Sequence, residues 1–194
     1  MHFKLDAQQP TVLSVGGSLG ASSINRMIMH NLDYFEKNNV QLIWQTGKWM
    51  YDEACKAVDA AHAEPFVKVH QFINQMDMAY AAADVVISRA GALSISELCT
   101  AGKAMILIPS PNVAEDHQTK NATALSKKGA AIVVGDNECA TKGITALQSL
   151  IAQPEQCAAM QQAASGMAQR DAANRIVDEI EKIIASSSKK EVAK

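Results

Sequence analysis

The sequence carries no excess of either charge. Its 18 Lys and Arg residues are balanced by 20 Asp and Glu residues, which gives a formal net charge of −2 at pH 7. A domain that binds nucleic acid presents a basic face, so this balance gives no electrostatic case for a nucleic-acid partner. Long apolar runs are absent as well: 48% of the residues are apolar, yet no run approaches the ~20 residues that span a bilayer. These two absences predict a soluble globular domain.

Disulfide and metal-ligand spacings are missing too. The cysteines lie far apart and form no C-x-x-C pair, which predicts reduced thiols in a cytosolic protein. The histidines show no metal-ligand spacing, and the sequence contains no Asp-x-Asp pair to hold a metal on a diphosphate. We therefore expect neither a metal site nor a cofactor. The four cysteines are Cys55, Cys99, Cys139 and Cys157.

Short apolar segments alternate with helical patterns along most of the chain. Such alternation predicts an α/β domain with a doubly wound, mainly parallel sheet that helices cover on both faces. From residue 141 onward the pattern is almost entirely helical. We expect one domain over residues 1–185 and a frayed tail over residues 186–194. The six segments with strand character are 11–15, 40–46, 66–70, 84–88, 104–108 and 131–134, and the late helices are expected over 141–152, 155–168 and 171–185.

A glycine-rich stretch, VGGSLGASSIN at residues 15–25, follows the first strand segment directly. The apolar residues after it recur at helical spacing, so the glycines lie at a strand-to-helix turn. The first N–H groups of a helix point outward at such a turn and favour an anion such as phosphate. The spacing is neither that of a P-loop nor the dinucleotide pattern Gly-x-Gly-x-x-Gly. A tight turn without a ligand is the alternative. The apolar stripe consists of Ile24, Met27, Ile28, Leu32 and Phe35.

A second strand, glycine turn and helix are predicted at residues 83–98, ADVVISRAGALSISEL. This is a second candidate anion site. Ser94 and Glu97 have the S-x-x-E spacing of a capping box, in which the two side chains satisfy the first N–H groups of a helix. In the alternative interpretation, Glu97 accepts hydrogen bonds from the two hydroxyls of a ribose, as an acidic residue does in dinucleotide sites. Local spacing alone favours the capping box.

The most specific pattern consists of five segments in a fixed order: GGSLGA at 16–21, FI at 72–73, ADVV at 83–86, RAGALSISE at 89–97 and DHQTKNA at 116–122. In this order and spacing they resemble the C-terminal half of the MurG family of bacterial transferases. The resemblance covers almost the whole chain. It implies a Rossmann-like doubly wound sheet that forms one half of a GT-B glycosyltransferase. The implied reaction is an inverting transfer of N-acetylglucosamine from UDP-GlcNAc to lipid I, which makes lipid II in peptidoglycan synthesis.

The resemblance also implies which residues contact the UDP-GlcNAc donor. Ser18 and the amides around it would face the diphosphate, and the backbone of Ile73 would hydrogen-bond the edge of the uracil. Ser94 would lie near the phosphates, Glu97 would bind the ribose, and Gln118 would recognise hydroxyls of the sugar. For Gln118, a solvated position in the first turn of a helix is the alternative. The complete implied set is Ser18, Ile73, Ala92, Leu93, Ser94, Ile95, Ser96, Glu97 and Gln118.

Two functions of the family would lie outside this sequence. The family binds its lipid-linked acceptor with an N-terminal domain, and we find no good general base among these residues, so the base is expected in that domain as well. The chain alone is therefore expected to be inactive, and the full-length protein to be cytoplasmic, peripheral on the cytoplasmic face of the cell membrane. Two alternatives remain: the catalytic subunit of a two-subunit lipid-linked N-acetylglucosamine transferase, and a non-catalytic module that binds nucleotide sugars.

Overall fold

The computed structural model describes residues 3–191, in which six strands form a single sheet with every neighbouring pair parallel. The strand order is β3-β2-β1-β4-β5-β6. Each strand falls inside a segment with predicted strand character, so the predicted α/β parallel sheet is confirmed. The strands are β1 (Thr11–Val15), β2 (Gln41–Gln45), β3 (Val67–His70), β4 (Val85–Ser88), β5 (Ala104–Leu107) and β6 (Ile132–Val133).

Helices connect the strands and complete the described part of the chain. A π-helical turn over Cys139–Gly143 leads directly into the first of the three late helices. The last helix continues to Glu191, and residues 192–194 of the tail that we expected to be frayed lie outside the described residues. The helices are α1 (Ser22–Met29), α2 (Leu32–Lys37), α3 (Tyr51–Ala61), α4 (Met76–Ala82), α5 (Ala92–Ala101), α6 (His117–Ser126), α7 (Ile144–Ala152), α8 (Pro154–Gly166) and α9 (Ala172–Glu191).

The apolar stripe after the glycine loop belongs to two helices, α1 and α2, that are separated by a short break. The break has a local cause. The side-chain amide of Asn31 donates a hydrogen bond of 2.7 Å to the carbonyl oxygen of Met27, and such side-chain bonds compete with the backbone ladder of a helix. Both helices still bury the stripe, because Ile24 and Phe35 are fully buried in the same core.

Helices cover both faces of the sheet, as a doubly wound architecture requires. Successive strand residues point to opposite faces, so Val12 and Leu42 pack into one core while Leu13 and Ile43 pack into the other. Helices α1, α2, α3 and α7 supply the first core, and α4, α5 and α6 supply the second. Helix α8 contributes to both. The central strands are consequently buried on both sides.

The strand order reverses between β1 and β4. From β1 the chain adds β2 and β3 on one side, and it then returns to place β4, β5 and β6 on the other side. The loops that follow β1 and β4 therefore diverge, and they leave a crevice at the carboxyl ends of these two strands. In open α/β sheets this switch point is where ligands bind. The two glycine turns of the sequence are the loops that border it.

The loop after β1 packs with its backbone against the end of β2. Gly20 has φ of +87°, and a Cβ atom there would lie 2.1 Å from the carbonyl oxygen of Thr46. Gly47 has φ of +75°, and its Cβ would lie 2.2 Å from the backbone nitrogen of Gly20. Asn25 of α1 closes the contact by donating to the Thr46 carbonyl at 2.8 Å and accepting from the Trp44 indole at 2.9 Å. Two loops of backbone thus fix where α1 begins.

We expect Gly20→Ala to lower the free energy of unfolding by about 3 kcal/mol or more, because the strain of a left-handed alanine adds to the displacement of a neighbouring backbone. Gly17→Ala is the matched control. Gly17 also has positive φ, at +81°, but nothing lies within 4 Å of its Cβ position, so only the strain of about 1–2 kcal/mol applies. Urea unfolding of both variants measures the difference. Equal losses would contradict the close packing of the two loops.

Candidate functional site

A polar cleft of about 420 Å³ lies at the switch point, at the carboxyl ends of β1, β4 and β5. Both glycine turns border it, and the loop after β5 forms its third side. Hydroxyl, amide and guanidinium groups line it together with glycine backbone. The lining residues are Gly16, Gly17, Gly20, Ala21, Ser22, Ser88, Arg89, Gly91, Ser94, Ser110, Asn112 and Gln118.

The first turns of three helices, α1, α5 and α6, meet at this cleft. Ser22 begins α1, Gly91 immediately precedes α5, and Gln118 is the second residue of α6; all three line the cleft. No side chain caps the N-terminus of any of these helices. The first N–H groups of α1 and α5 and the positive ends of their dipoles are therefore available to an anion such as phosphate. The start of α6 differs, because a 3₁₀ turn leads directly into this helix.

Arg89 brings a positive charge to the cleft, but most of its donors are already engaged. Its guanidinium donates to Asp136 at 2.5 Å, to the carbonyl oxygens of Ile108 and Pro109 at 3.0 and 3.2 Å, and to the Ser23 hydroxyl at 3.1 Å. Ser23 in turn donates to Asp136 at 2.5 Å. This cluster, Arg89–Asp136–Ser23, joins the end of β4 and the turn after β6 to α1, and the two carbonyl bonds of Arg89 add the end of β5. Because the arginine is paired, the attraction for an anion comes mainly from backbone N–H groups.

The electrostatics of Asp136 reflect this pairing. Burial alone would raise the pKa of its carboxyl group, but hydrogen bonds from Ser23 and Arg89, together with the Arg89 charge, hold the pKa below its ordinary value of 3.8. The carboxylate is therefore ionised at neutral pH. The cluster as a whole is nearly neutral, and its main effect is to hold three elements at the border of the cleft.

Gln118 lies in the first turn of α6, as the alternative had it, but its side chain is half-buried and hydrogen-bonded. Its Oε1 atom accepts from the backbone N–H of Ser110 at 2.8 Å and from that of Ala90 at 3.3 Å. It therefore ties the loop after β4 to the loop after β5, and its Nε2 atom remains as the donor. Asn121, one turn further along α6, donates to the Ala90 carbonyl at 3.3 Å.

Helix α5 begins three residues earlier than a capping box at Ser94 would require. The helix starts at Ala92 with Gly91 at its N-cap, so Ser94 is its third residue and Glu97 its sixth. The capping-box interpretation is therefore wrong. Glu97 instead accepts a hydrogen bond of 2.9 Å from the hydroxyl of Tyr80 on α4. Burial, and then this bond, raise the pKa of the Tyr80 hydroxyl, which keeps it a donor at neutral pH.

Glu97 stands one helical turn from the polar cleft. Residues three apart lie on the same face of a helix, so the exposed Glu97 carboxylate lies on the same face of α5 as Ser94, which lines the cleft. On its other side the carboxylate borders a groove of about 620 Å³ between α4 and α5. Glu97 is thus placed to contact a ligand that extends out of the cleft along α5.

A separate pocket of about 330 Å³ contains Ile73, in the loop after β3. The Ile73 side chain is buried at 5% exposure, whereas the neighbouring Phe72 is 56% exposed. The backbone N–H of Ile73 donates to Oε1 of Gln45 at 2.8 Å. Phe3 and His70 form an edge-to-face ring contact on the pocket wall, with centroids 5.5 Å apart.

The remaining members of the predicted set lie at the rim of the cleft or away from it. Ser18 is exposed in the glycine loop, and Leu93 is 73% exposed in the first turn of α5, next to the exposed Ala92. Ile95 packs against the core, and the Ser96 hydroxyl donates to the carbonyl oxygen of Ala92 within its own helix. The structure thus brings Ser94 and Gln118 together in the cleft, whereas Ile73 and Glu97 line two other pockets. The ligand roles of all nine residues stay predictions.

Sequence reasoning missed three side chains that build the site: Asn25, Gln45 and Asp136. Their partners are 21, 28 and 113 residues away along the chain, in Thr46, Ile73 and Ser23. No local spacing signals such contacts. Arg89 had a signal, because it follows a strand directly and stands two residues before Gly91.

Two further observations concern metals and membranes. Among residues 3–191, no group of three or more His, Cys, Asp or Glu side chains is arranged to hold a metal ion. Within the same part of the chain, no helix combines the length and the apolar character needed to cross a membrane.

A doubly wound sheet with uncapped helix N-termini at its switch point is typical of nucleotide-binding α/β domains. Residues 11–176 match the model of the glycosyltransferase family 28 C-terminal domain. The chain therefore belongs to this family.

Proteins of known identity support this assignment. The chain is 50% identical over 182 residues to a Parabacteroides distasonis protein, and the match covers 94% of this chain and 49% of the relative. That relative is named UDP-N-acetylglucosamine--N-acetylmuramyl-(pentapeptide) pyrophosphoryl-undecaprenol N-acetylglucosamine transferase. A Porphyromonas gingivalis protein of the same name is 49% identical, over 92% of this chain and 47% of the relative. The crystal structure of Acinetobacter baumannii MurG is similar with a TM-score of 0.81 and 32% identity, over 91% of this chain and 51% of that one. The chain thus spans about half the length of these relatives.

We expect Asp136→Asn to lower the free energy of unfolding at pH 7 by about 1.5–3 kcal/mol, the size of a hydrogen bond to a charged group. A lowered pKa in the folded state gives stability that is present above the ordinary pKa of 3.8 and is lost as the pH falls through the folded pKa. The difference in the free energy of unfolding between the unmodified chain and the variant should therefore become smaller below about pH 4. Urea unfolding at several pH values measures it.

Asp33→Asn is the matched control for this pH dependence. Asp33 also pairs with a cation, Lys37, but both side chains are well exposed on α2, where solvent screens the pair. Its effect at pH 7 should be much smaller. The stabilising role of the Arg89–Asp136–Ser23 cluster would be contradicted if Asp136→Asn lost the same free energy of unfolding at every pH down to 3. A loss at pH 7 no larger than that of Asp33→Asn would also contradict it.

Proposed function

We propose that the chain is the donor-binding domain of an inverting glycosyltransferase. The full-length protein would transfer N-acetylglucosamine from UDP-N-acetylglucosamine to N-acetylmuramyl-(pentapeptide) pyrophosphoryl-undecaprenol, the reaction named for its relatives at 49–50% identity. The observation that carries the proposal is the meeting of uncapped helix N-termini in one polar cleft at the switch point. A sugar nucleotide has a diphosphate at its centre, and this cleft fits that group.

The rest of the donor would extend from the diphosphate into the neighbouring pockets. In the proposal the uracil lies at the pocket of Ile73, beside the exposed Phe72, and the ribose hydroxyls donate to Glu97. The N-acetylglucosamine lies toward Gln118, whose Nε2 atom is left as a donor because its Oε1 atom already accepts two backbone hydrogen bonds. Ser18 and Ser94 flank the phosphates. In each of the polar contacts, the protein group acts as the donor or the acceptor that its chemistry allows.

The cleft also has donors that would stabilise the charge of the leaving group in the proposed reaction. When a hydroxyl displaces UDP from the anomeric carbon, negative charge builds on the departing diphosphate. Donors that already point at this charge stabilise the transition state, and the loss of one such donor costs on the order of 3 kcal/mol. The N-termini of α1 and α5 are held in place by the packing of the glycine loop and by the Arg89–Asp136–Ser23 cluster. The general base and the acceptor site would belong to the remainder of the full-length protein, which would work peripherally on the cytoplasmic face of the membrane.

We expect the chain to bind UDP, and Glu97→Gln to weaken that binding by about 1–2 kcal/mol, because the hydrogen bonds from the ribose then go to a neutral acceptor and no longer to a charged one. The variant should fold as stably as the unmodified chain, since a glutamine oxygen still accepts from Tyr80. Calorimetric titration measures the affinity, and thermal unfolding checks the folded fraction.

The matched control for Glu97→Gln is a ligand that lacks the ribose hydroxyls, 2′,3′-dideoxy-UDP. It should bind the variant and the unmodified chain equally well. If Glu97→Gln weakened the binding of both nucleotides alike, the assignment of Glu97 to the ribose would be wrong. If the unmodified chain bound no UDP at millimolar concentration, the proposed function itself would be wrong.

We expect the chain alone to transfer no sugar to lipid I. The hydroxyl and the donor must be held about 3 Å apart, and this positioning is worth about 7–11 kcal/mol of the barrier. Such positioning requires an acceptor site, which the proposal assigns to the remainder of the full-length protein. A radiolabelled transfer assay compares the chain with the full-length Parabacteroides distasonis relative as the positive control. Turnover by the chain above that of its Glu97→Ala variant would show that it is a self-sufficient transferase.

A further inference from the structure

The side chain of Gln45, the last residue of β2, joins two loops that border the proposed donor site. Its Nε2 atom donates to the carbonyl oxygen of Gly17 in the glycine loop at 3.1 Å. Its Oε1 atom accepts from the backbone N–H of Ile73 in the loop after β3 at 2.8 Å. The residue is 2% exposed, so water does not compete strongly for either bond.

The geometry of the sheet makes this bridge specific. Strand β2 lies between β1 and β3, so a side chain at its carboxyl end reaches the loops that follow both neighbours. A primary amide has a donor at one tip and an acceptor at the other, which matches one carbonyl and one N–H group. A carboxylate would offer no donor to Gly17, and an apolar side chain would leave two backbone groups without their partner. The distance between the two loops is therefore set by the length of one glutamine.

We propose that Gln45 is a positioning residue that fixes the base-binding loop relative to the phosphate-binding loop and thereby sets the preference for uracil. The proposal rests on the proposed function, in which the diphosphate lies at the first loop and the base at the second. The Ile73 N–H is engaged by Gln45, and no donor among the described residues bonds the Ile73 carbonyl oxygen. This carbonyl oxygen, a hydrogen-bond acceptor, is therefore the group that Ile73 offers to a base. Uracil carries an N3–H donor, whereas cytosine has an acceptor at N3 and a donor only at its 4-amino group. The choice between the two bases therefore depends on where the Ile73 carbonyl oxygen is held.

The chain supplies a matched control in Gln41, the first residue of the same strand. Gln41 is 3% exposed. Its side chain also bridges backbone groups, accepting from the Asp6 N–H at 2.7 Å and donating to the Asp6 carbonyl at 2.8 Å. Gln45→Leu and Gln41→Leu therefore remove a comparable buried amide from opposite ends of β2. Both should lower the melting temperature, but only Gln45→Leu should change the choice of nucleotide.

The experiment is calorimetric titration of the unmodified chain and both variants with UDP, CDP and inorganic pyrophosphate, at a temperature where each is folded. The unmodified chain should prefer UDP over CDP. Gln45→Leu should reduce that preference about tenfold, which corresponds to one misplaced hydrogen bond, while pyrophosphate affinity stays within about threefold because the helix N-termini are held independently. Gln41→Leu should retain the full preference.

Three results would overturn the inference. The first is an unchanged preference in Gln45→Leu, and the second is an equal loss in Gln41→Leu; either one leaves the proposed function standing. The third, no binding of UDP by the unmodified chain, removes the proposed function as well. A further measurement applies even if Gln45→Leu does not fold: the Ile73 amide of the unmodified chain should exchange its hydrogen slowly, although it lies outside every helix and strand. Fast exchange would show that Gln45 does not hold it.

Discussion

The site depends on one contact, the packing of the glycine loop against the carboxyl end of β2. With a Cβ atom at Gly20 only 2.1 Å from the Thr46 carbonyl, no other residue fits without moving a backbone. This contact fixes the first turn of α1, and Asn25 reinforces it from inside that helix. The opening of the cleft, the direction of the α1 dipole and the reach of Gln45 to Gly17 all follow from it.

In the proposed function, the cleft would attract the diphosphate through its backbone more than through free charge. Its arginine, Arg89, is paired with Asp136, and the whole chain has a formal net charge of −2. Helix N-termini provide fixed partial charges that need no reorganisation when an anion arrives or develops. Such a site would suit the leaving diphosphate of the proposed reaction.

The sequence allowed the sheet and the glycine turns that border the cleft to be predicted, but not the contacts that hold these turns in place. Strand segments and glycine turns are local patterns, and they located the cleft correctly. The capping box at Ser94 failed because α5 begins at once after Gly91, which spacing within the helix cannot reveal. The break between α1 and α2 depends on one side-chain bond from Asn31. The contacts of Asp136 and Gln45 join residues distant in sequence, and only the fold brings them together.

The most direct test of the account is a crystal structure of the chain with bound UDP. We predict that the oxygens of the diphosphate lie in the cleft, within about 2.7–3.1 Å of N–H groups in the first turns of α1 and α5. Glu97 should then face the ribose. A nucleotide bound in the groove between α4 and α5, with its phosphates away from both helix N-termini, would contradict the central claim.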